Sequence, residues 1–231
     1  MDNGSAQKAH NDLVMSFLAV RRAIGGLGYF LPLALIAFAL LSGQGLQTSI
    51  SAAYYSPMRE VFVGTLIAQA VFLWSYEGFR PDAGEIITDR RTARVAAMAI
   101  ALVALAPTSG PQQPCTLLQC VLGASFAAMV HLVAAAVFFL ALAVFCLVLF
   151  VKGDSGSVEK RASNRIYRLC GWLILGSIGM IGLLFVTGLE DTLSWLRPVF
   201  ILEAVAVFAF ATSWAVKGDA LRPLVRGMAG P

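Results

Sequence analysis

Charged residues are scarce in this chain of 231 residues. Asp, Glu, Lys and Arg make up only 13% of it, about half of the roughly 25% typical of soluble domains. Hydrophobic residues make up 58%, and the mean hydropathy is +0.78. A water-soluble core cannot absorb that much apolar surface in so short a chain. The lack of charge therefore excludes an ordinary soluble domain, and the length leaves no room for one beside a helical bundle.

The residue types that usually carry metal or nucleotide chemistry are also sparse. The chain has two His and four Cys, without a Cys-x-x-Cys pair or a Cys/His cluster. Walker, Gly-x-Ser-x-Gly and His-Glu-x-x-His motifs are missing. The net charge is +4, but its basic residues sit in short loops between apolar runs. We therefore predict no metal, no cofactor and no nucleic-acid partner.

Long apolar runs dominate what is present, and they predict an all-α membrane bundle of six transmembrane helices. The third run has only 13 residues, so it needs flanking residues to span the bilayer. The fourth run has 31 residues, so its helix should tilt or project beyond the bilayer. The six runs are Ile24–Leu41, Met58–Tyr76, Val95–Pro107, Val121–Val151, Leu169–Val186 and Leu196–Val216.

The positions of the basic residues predict the orientation. All of the 17 Lys and Arg residues except Arg59 and Arg197 fall on one side of such a bundle. Basic loops face the cytoplasm, so both termini are expected there. The chain then divides into a cytoplasmic N-terminal segment with an interfacial helix (1–23), the membrane domain (24–216) and a cytoplasmic tail (217–231).

A few polar side chains are expected at one depth, in the outer third of the bilayer. They are Ser51, Tyr54, Tyr55, Arg59, Glu60, His131 and Glu203. Intramembrane ionisable groups are costly, so they form the candidate site. One hypothesis is a polar pocket for a lipid headgroup or small polar molecule. The other is that Glu203 faces the bundle interior and pairs with His131 or Arg59 only to hold helices together.

Other residues allow narrower predictions. Cys115 and Cys120 share a loop expected on the oxidising side, where they either form a disulfide or remain free thiols. Gln69 is expected to make an interhelical hydrogen bond, with a role in conduction as the alternative. Aromatic residues near the helix ends are expected to form an interfacial belt. They are Trp74, Tyr76, Trp172, Trp195 and Trp214.

Three stretches, Thr48–Gly64, His131–Phe139 and Leu202–Phe210, resemble an uncharacterised family of small bacterial six-helix membrane proteins. More distantly they are similar to the Frag1/DRAM/Sfk1 superfamily, whose pattern has an Ile-Ser pair and a Pro before helix two. That pattern usually has Asp after the pair, where this chain has Ala52. The resemblance implies a multi-pass protein of the bacterial inner membrane and lipid-related biology, but no established catalytic residues.

Three functional hypotheses follow. The first is a non-enzymatic or accessory membrane protein that binds lipid or a hydrophobic membrane-protein partner. The second is an intramembrane lipid-modifying enzyme, with His131 as base and Glu203 as its orienting partner. The third is a channel or transporter, with Glu203 and Arg59 lining the path. The enzyme needs a nucleophile beside His131, and the sequence spacing indicates none.

Overall fold

The structure, a computed structural model, describes residues 3–110, 115–153 and 156–229, all without β-strands. Side chains of residues 3–14 and of residue 16 lie outside this description. Its α-helices are, in chain order, α1 (Asn3–Ser42), α2 (Arg59–Trp74), α3 (Asp89–Leu105), α4 (Leu117–Leu122), α5 (Ala124–Val144), α6 (Val158–Thr187), α7 (Leu189–Thr192), α8 (Pro198–Lys217) and α9 (Arg222–Ala229). Two 3-10 turns, Ser51–Tyr55 and Ser194–Leu196, precede α2 and α8, and a π-helical turn, Phe145–Leu149, extends α5.

The six long helices form a closed ring. Each packs against the long helix before and after it in the chain, in the order α1, α2, α3, α5, α6, α8, and α8 closes the ring by packing on α1. At this last interface Gly25 lies against the α8 backbone near Ala215, and the Tyr29 and Thr212 hydroxyls are 2.6 Å apart. The prediction of an all-α bundle is therefore confirmed.

Four of the described helical segments are long and apolar enough to cross a membrane: Phe17–Ser42, Ala124–Leu149, Val158–Thr187 and Ser194–Lys217. Much of their apolar surface points outward. In the most apolar stretch of α6, for example, only 28% of the residues are buried. Such an outer surface suits lipid rather than water. The helices α2 and α3 have 16 and 17 residues, which is less than the 18 residues required of a spanning candidate here.

Several boundaries differ from those expected, and local signals explain them. Residues 3–23 do not form a separate interfacial helix, because α1 is continuous through Ser42. The fourth apolar run is broken at Gly123, whose φ of 87° suits glycine and separates α4 from α5. The loop expected at 152–168 is mostly helix, since Ser157 caps α6 by accepting a hydrogen bond from the Lys160 N–H. The tail likewise contains α9.

An aromatic cluster closes one end of the bundle, beyond the last turn of α2. The Trp214 ring lies 4.8 Å from Tyr76 and 5.2 Å from both Phe145 and Phe150, centroid to centroid. Trp214 and Tyr76 are fully buried, so the interfacial-belt prediction is wrong for these two residues. The other three residues of the predicted belt that carry indole rings, Trp74, Trp172 and Trp195, are exposed.

Candidate functional site: a polar cluster and an internal cavity

A serine and a histidine meet at the end of the bundle opposite the aromatic cluster. Ser51 opens the 3-10 turn before α2, and His131 lies in the third turn of α5; both are buried. The Ser51 Oγ is 2.9 Å from the His131 Nε2, and the His131 Nδ1 is 2.6 Å from the carbonyl oxygen of Ala106. A carbonyl only accepts hydrogen bonds, so Nδ1 carries the proton. In the neutral imidazole, Nε2 is then the acceptor and the Ser51 hydroxyl the donor.

Glu203 of α8 points into the bundle, as expected, but neither expected partner contacts it. Its Oε2 accepts a hydrogen bond of 2.5 Å from the Ile50 N–H. The prediction of a Glu203 pair with His131 or Arg59 is therefore wrong. A backbone N–H group binds the carboxyl group instead, and the side chain of the next residue, Ser51, bonds to His131.

Arg59 belongs to a separate small pair on the outer side of this cluster. Its guanidinium donates a hydrogen bond of 2.9 Å to the Tyr54 hydroxyl and lies 4.5 Å from the centroid of that ring. Arg59 is exposed and Tyr54 is buried. Glu60 is exposed and bonds to no residue that the structure describes, so it takes no part in the cluster.

Tyr55 ties this end of the bundle to the loop after α3. Its hydroxyl donates to the Thr108 carbonyl at 2.7 Å and accepts from the Gln119 Nε2 at 3.1 Å. Gln119 belongs to α4, where Thr116 and Gln119 form a capping box. A disulfide joins Cys115 and Cys120 across the same short helix. The sequence left open whether these two cysteines form a disulfide or remain free thiols, and the structure has the disulfide.

A small cavity of about 60 Å³ runs inward from Ser51 and Glu203. Its walls come from α1, α2, α3, α5 and α8 and are almost entirely apolar. On α2 the lining extends from Phe62 to Gln69, which at 1.5 Å per residue is about 10 Å. The cavity is therefore a slot along the helix axes.

Gln69 is the polar group farthest along α2 in this slot. Its side chain is buried, with 3% of its surface exposed, and its Nε2 has no hydrogen-bond partner among the described residues. The expected interhelical hydrogen bond from this amide nitrogen is therefore missing. An unpartnered buried donor costs about 1–3 kcal/mol, so a group that accepts from it would be favoured.

Sequence reasoning found the side chains of this site but missed its backbone. The Ala106 carbonyl and the Ile50 N–H, which bind His131 and Glu203, have no signature in residue type. Nor did the sequence reveal Ser51 as the partner of His131, because 80 positions separate them. Among the described residues, no three His, Cys, Asp or Glu side chains come close enough to hold a metal ion.

Comparison with protein-family models, curated proteins and solved structures gave no significant match. The resemblance to the Frag1/DRAM/Sfk1 superfamily therefore stays an expectation, and the functional argument depends on the geometry of this site.

Proposed function

We propose that this chain is a six-span membrane protein that binds a narrow amphipathic lipid in the slot between α1, α2, α3, α5 and α8. The observation that carries the proposal is the slot itself: an apolar channel, with the Glu203 carboxylate and Ser51 hydroxyl at one end and the unpartnered Gln69 amide farther in. Apolar cavities with few polar groups are the usual form of small-molecule sites. Almost entirely apolar walls suit a lipid chain.

Six spans follow if α2 and α3 cross the membrane with the four longer helices. At 1.5 Å per residue they are about 24 and 26 Å long, somewhat short of a hydrocarbon core of about 30 Å. Local thinning of the bilayer costs only fractions of a kcal/mol per Å. Packing in one ring with spanning neighbours on both sides supports this arrangement. The basic loops then place both termini in the cytoplasm.

Reporter fusions test the topology directly. Fusions after Arg94 and Lys160 should read cytoplasmic, and fusions after Ser109 and Asp191 should read extracytoplasmic. A cytoplasmic reading at Ser109 would remove α3 from the membrane and overturn the six-span proposal.

Photocrosslinking tests the lipid site. The protein is reconstituted in nanodiscs with a diazirine-labelled fatty acid, and crosslinked peptides are mapped by mass spectrometry. Labels should concentrate on the slot-lining parts of α2 and α8. Ala135→Phe fills the slot from α5 and should reduce labelling about tenfold or more, equivalent to about 1.4 kcal/mol.

Ala136→Phe is the matched control, because Ala136 is the next residue on α5 and does not line the slot. Its labelling should equal that of the wild type. Equal labelling of both variants, or crosslinks confined to the outer faces of the helices, would show that lipid contacts the protein only as bulk solvent.

A further inference from the structure

The Ser51–His131 pair has the connectivity of a nucleophile and its general base. The base is within hydrogen-bond reach of the hydroxyl, at 2.9 Å, and a third group, the Ala106 carbonyl, orients the base. The tautomer is the required one, since the hydrogen bond to Ala106 leaves the Nε2 lone pair directed at the Ser51 hydroxyl.

A carboxyl oxygen already lies beside the serine. The backbone N–H group of Ile50, the residue before Ser51, donates a hydrogen bond to the Glu203 side chain. A backbone N–H group that binds an oxygen next to the nucleophile can stabilise the oxyanion of acyl transfer. For a substrate carbonyl to use this N–H group, the Glu203 side chain must rotate away.

The slot supplies the remaining part of such a site. Ser51 is only 8% exposed, but it lines the outer end of the apolar slot, so its hydroxyl is reached from within the bundle. A fatty acyl chain lying in the slot would extend towards Gln69 and leave its carbonyl carbon beside the serine. Holding the reacting atoms together in this way is itself a large part of catalysis.

We propose that Ser51 and His131 form an acyl-transfer dyad that cleaves carboxylic esters of fatty acids. The Ser51 Oγ bonds to the carbonyl carbon while His131 Nε2 takes the hydroxyl proton. The ester C–O bond then breaks, and the leaving alcohol takes the proton from His131. Water attacks the acyl-Ser51 ester, again giving a proton to Nε2, and the proton returns to Ser51 as the fatty acid leaves. This inference rests on the proposed lipid slot.

The test uses the purified full chain in detergent and an alkyl fluorophosphonate, which bonds to an activated serine with loss of fluoride. We expect labelling of the wild type at Ser51 and none of Ser51→Ala. His131→Gln should label about 10²–10⁴-fold more slowly, the usual contribution of a general base. Ser49→Ala is the matched control: Ser49 lies two positions away, its hydroxyl only accepts from the Ala52 N–H, and its labelling should be unchanged.

Further measurements separate this proposal from lipid binding and from misfolding. Thermal unfolding of each variant establishes that it is folded. Wild-type protein that crosslinks to fatty acid but resists the fluorophosphonate would overturn the dyad and leave the lipid site standing. Labelling that survives in Ser51→Ala would also overturn the assignment.

Discussion

The interface that closes the helix ring makes a quantitative prediction about two neighbouring glycines of α1. A Cβ at Gly25 would lie 3.1 Å from the Ala215 nitrogen and 3.2 Å from the Ala211 oxygen, both backbone atoms of α8 that cannot move aside alone. A Cβ at Gly26 would meet nothing within 4 Å. The two positions share one helix and one residue type, but only Gly25 allows the close approach of α8.

The magnitudes follow from helix propensity and overpacking. Gly→Ala within a helix gains about 1 kcal/mol at either position. At Gly25 the added methyl also forces the two helices apart, a strain of about 1–3 kcal/mol. We therefore expect Gly26→Ala to stabilise the protein and Gly25→Ala to be less stable than Gly26→Ala by about 1–3 kcal/mol. For a chain of this size this corresponds to about 3–9 °C in Tm.

Thermal unfolding in one detergent, followed by circular dichroism, measures the difference, and a cysteine crosslink between α1 and α8 reports their spacing. Equal Tm values for Gly25→Ala and Gly26→Ala would refute the close contact of α1 with α8. The closed ring of helices would then have to be abandoned.

Three further predictions concern the slot, an ion pair between two loops and the loop after α3. Gln69→Met removes the unpartnered buried donor, so it should stabilise lipid-free protein by about 1–3 kcal/mol in thermal unfolding while weakening fatty-acid crosslinking; a loss of stability would mean that the amide is satisfied. The hydrogen bond from Lys152 lowers the pKa of Glu85 below its usual 4.5, so this ion pair stabilises the protein above that pH and is lost as the pH falls through the lowered pKa. Glu85→Gln should thus lower Tm at pH 7 but not in strong acid, and an equal loss at both would contradict the pairing. Gly110→Ala places a methyl group against the Tyr55 ring and should lower Tm by displacing it, whereas an unchanged Tm would mean that the loop after α3 yields freely.

The sequence predicts the helices well because apolar runs report burial in lipid or in a bundle, whatever the packing partners are. It predicts their ends less well, although two of the missed ends had a local signal. Gly123 interrupts an apolar run, and Ser157 precedes a helix that begins among charged residues. The predicted helix ends followed the apolar runs and not these two local signals, so they were placed wrongly.

The site shows a different limit. The argument from depth brought Ser51, His131 and Glu203 to one level, and in the structure Ile50 binds Glu203 while the adjacent Ser51 binds His131. It failed for the partner of Glu203 because a backbone N–H group of a turn, and not a charged side chain, binds this carboxyl group. Every residue except proline has such an N–H group, so residue type does not reveal the partner. Rules that pair charged side chains with each other cannot detect such a partner.

The same atoms serve structure and chemistry at the Ser51–His131 pair, and this determines what a mutation there can reveal. The bond from Nδ1 to Ala106 ties α5 to the end of α3, and it would exist in a purely structural histidine. The Ser51 hydroxyl is different, because the turn that holds it is already fixed by backbone bonds such as that from Ala53 to Ile50. Ser51→Ala should therefore leave the fold intact, at a cost of about 1–3 kcal/mol because the buried His131 Nε2 loses its partner. A complete loss of serine labelling with so small a loss of stability would show that Ser51 acts as a nucleophile and not only as a structural residue.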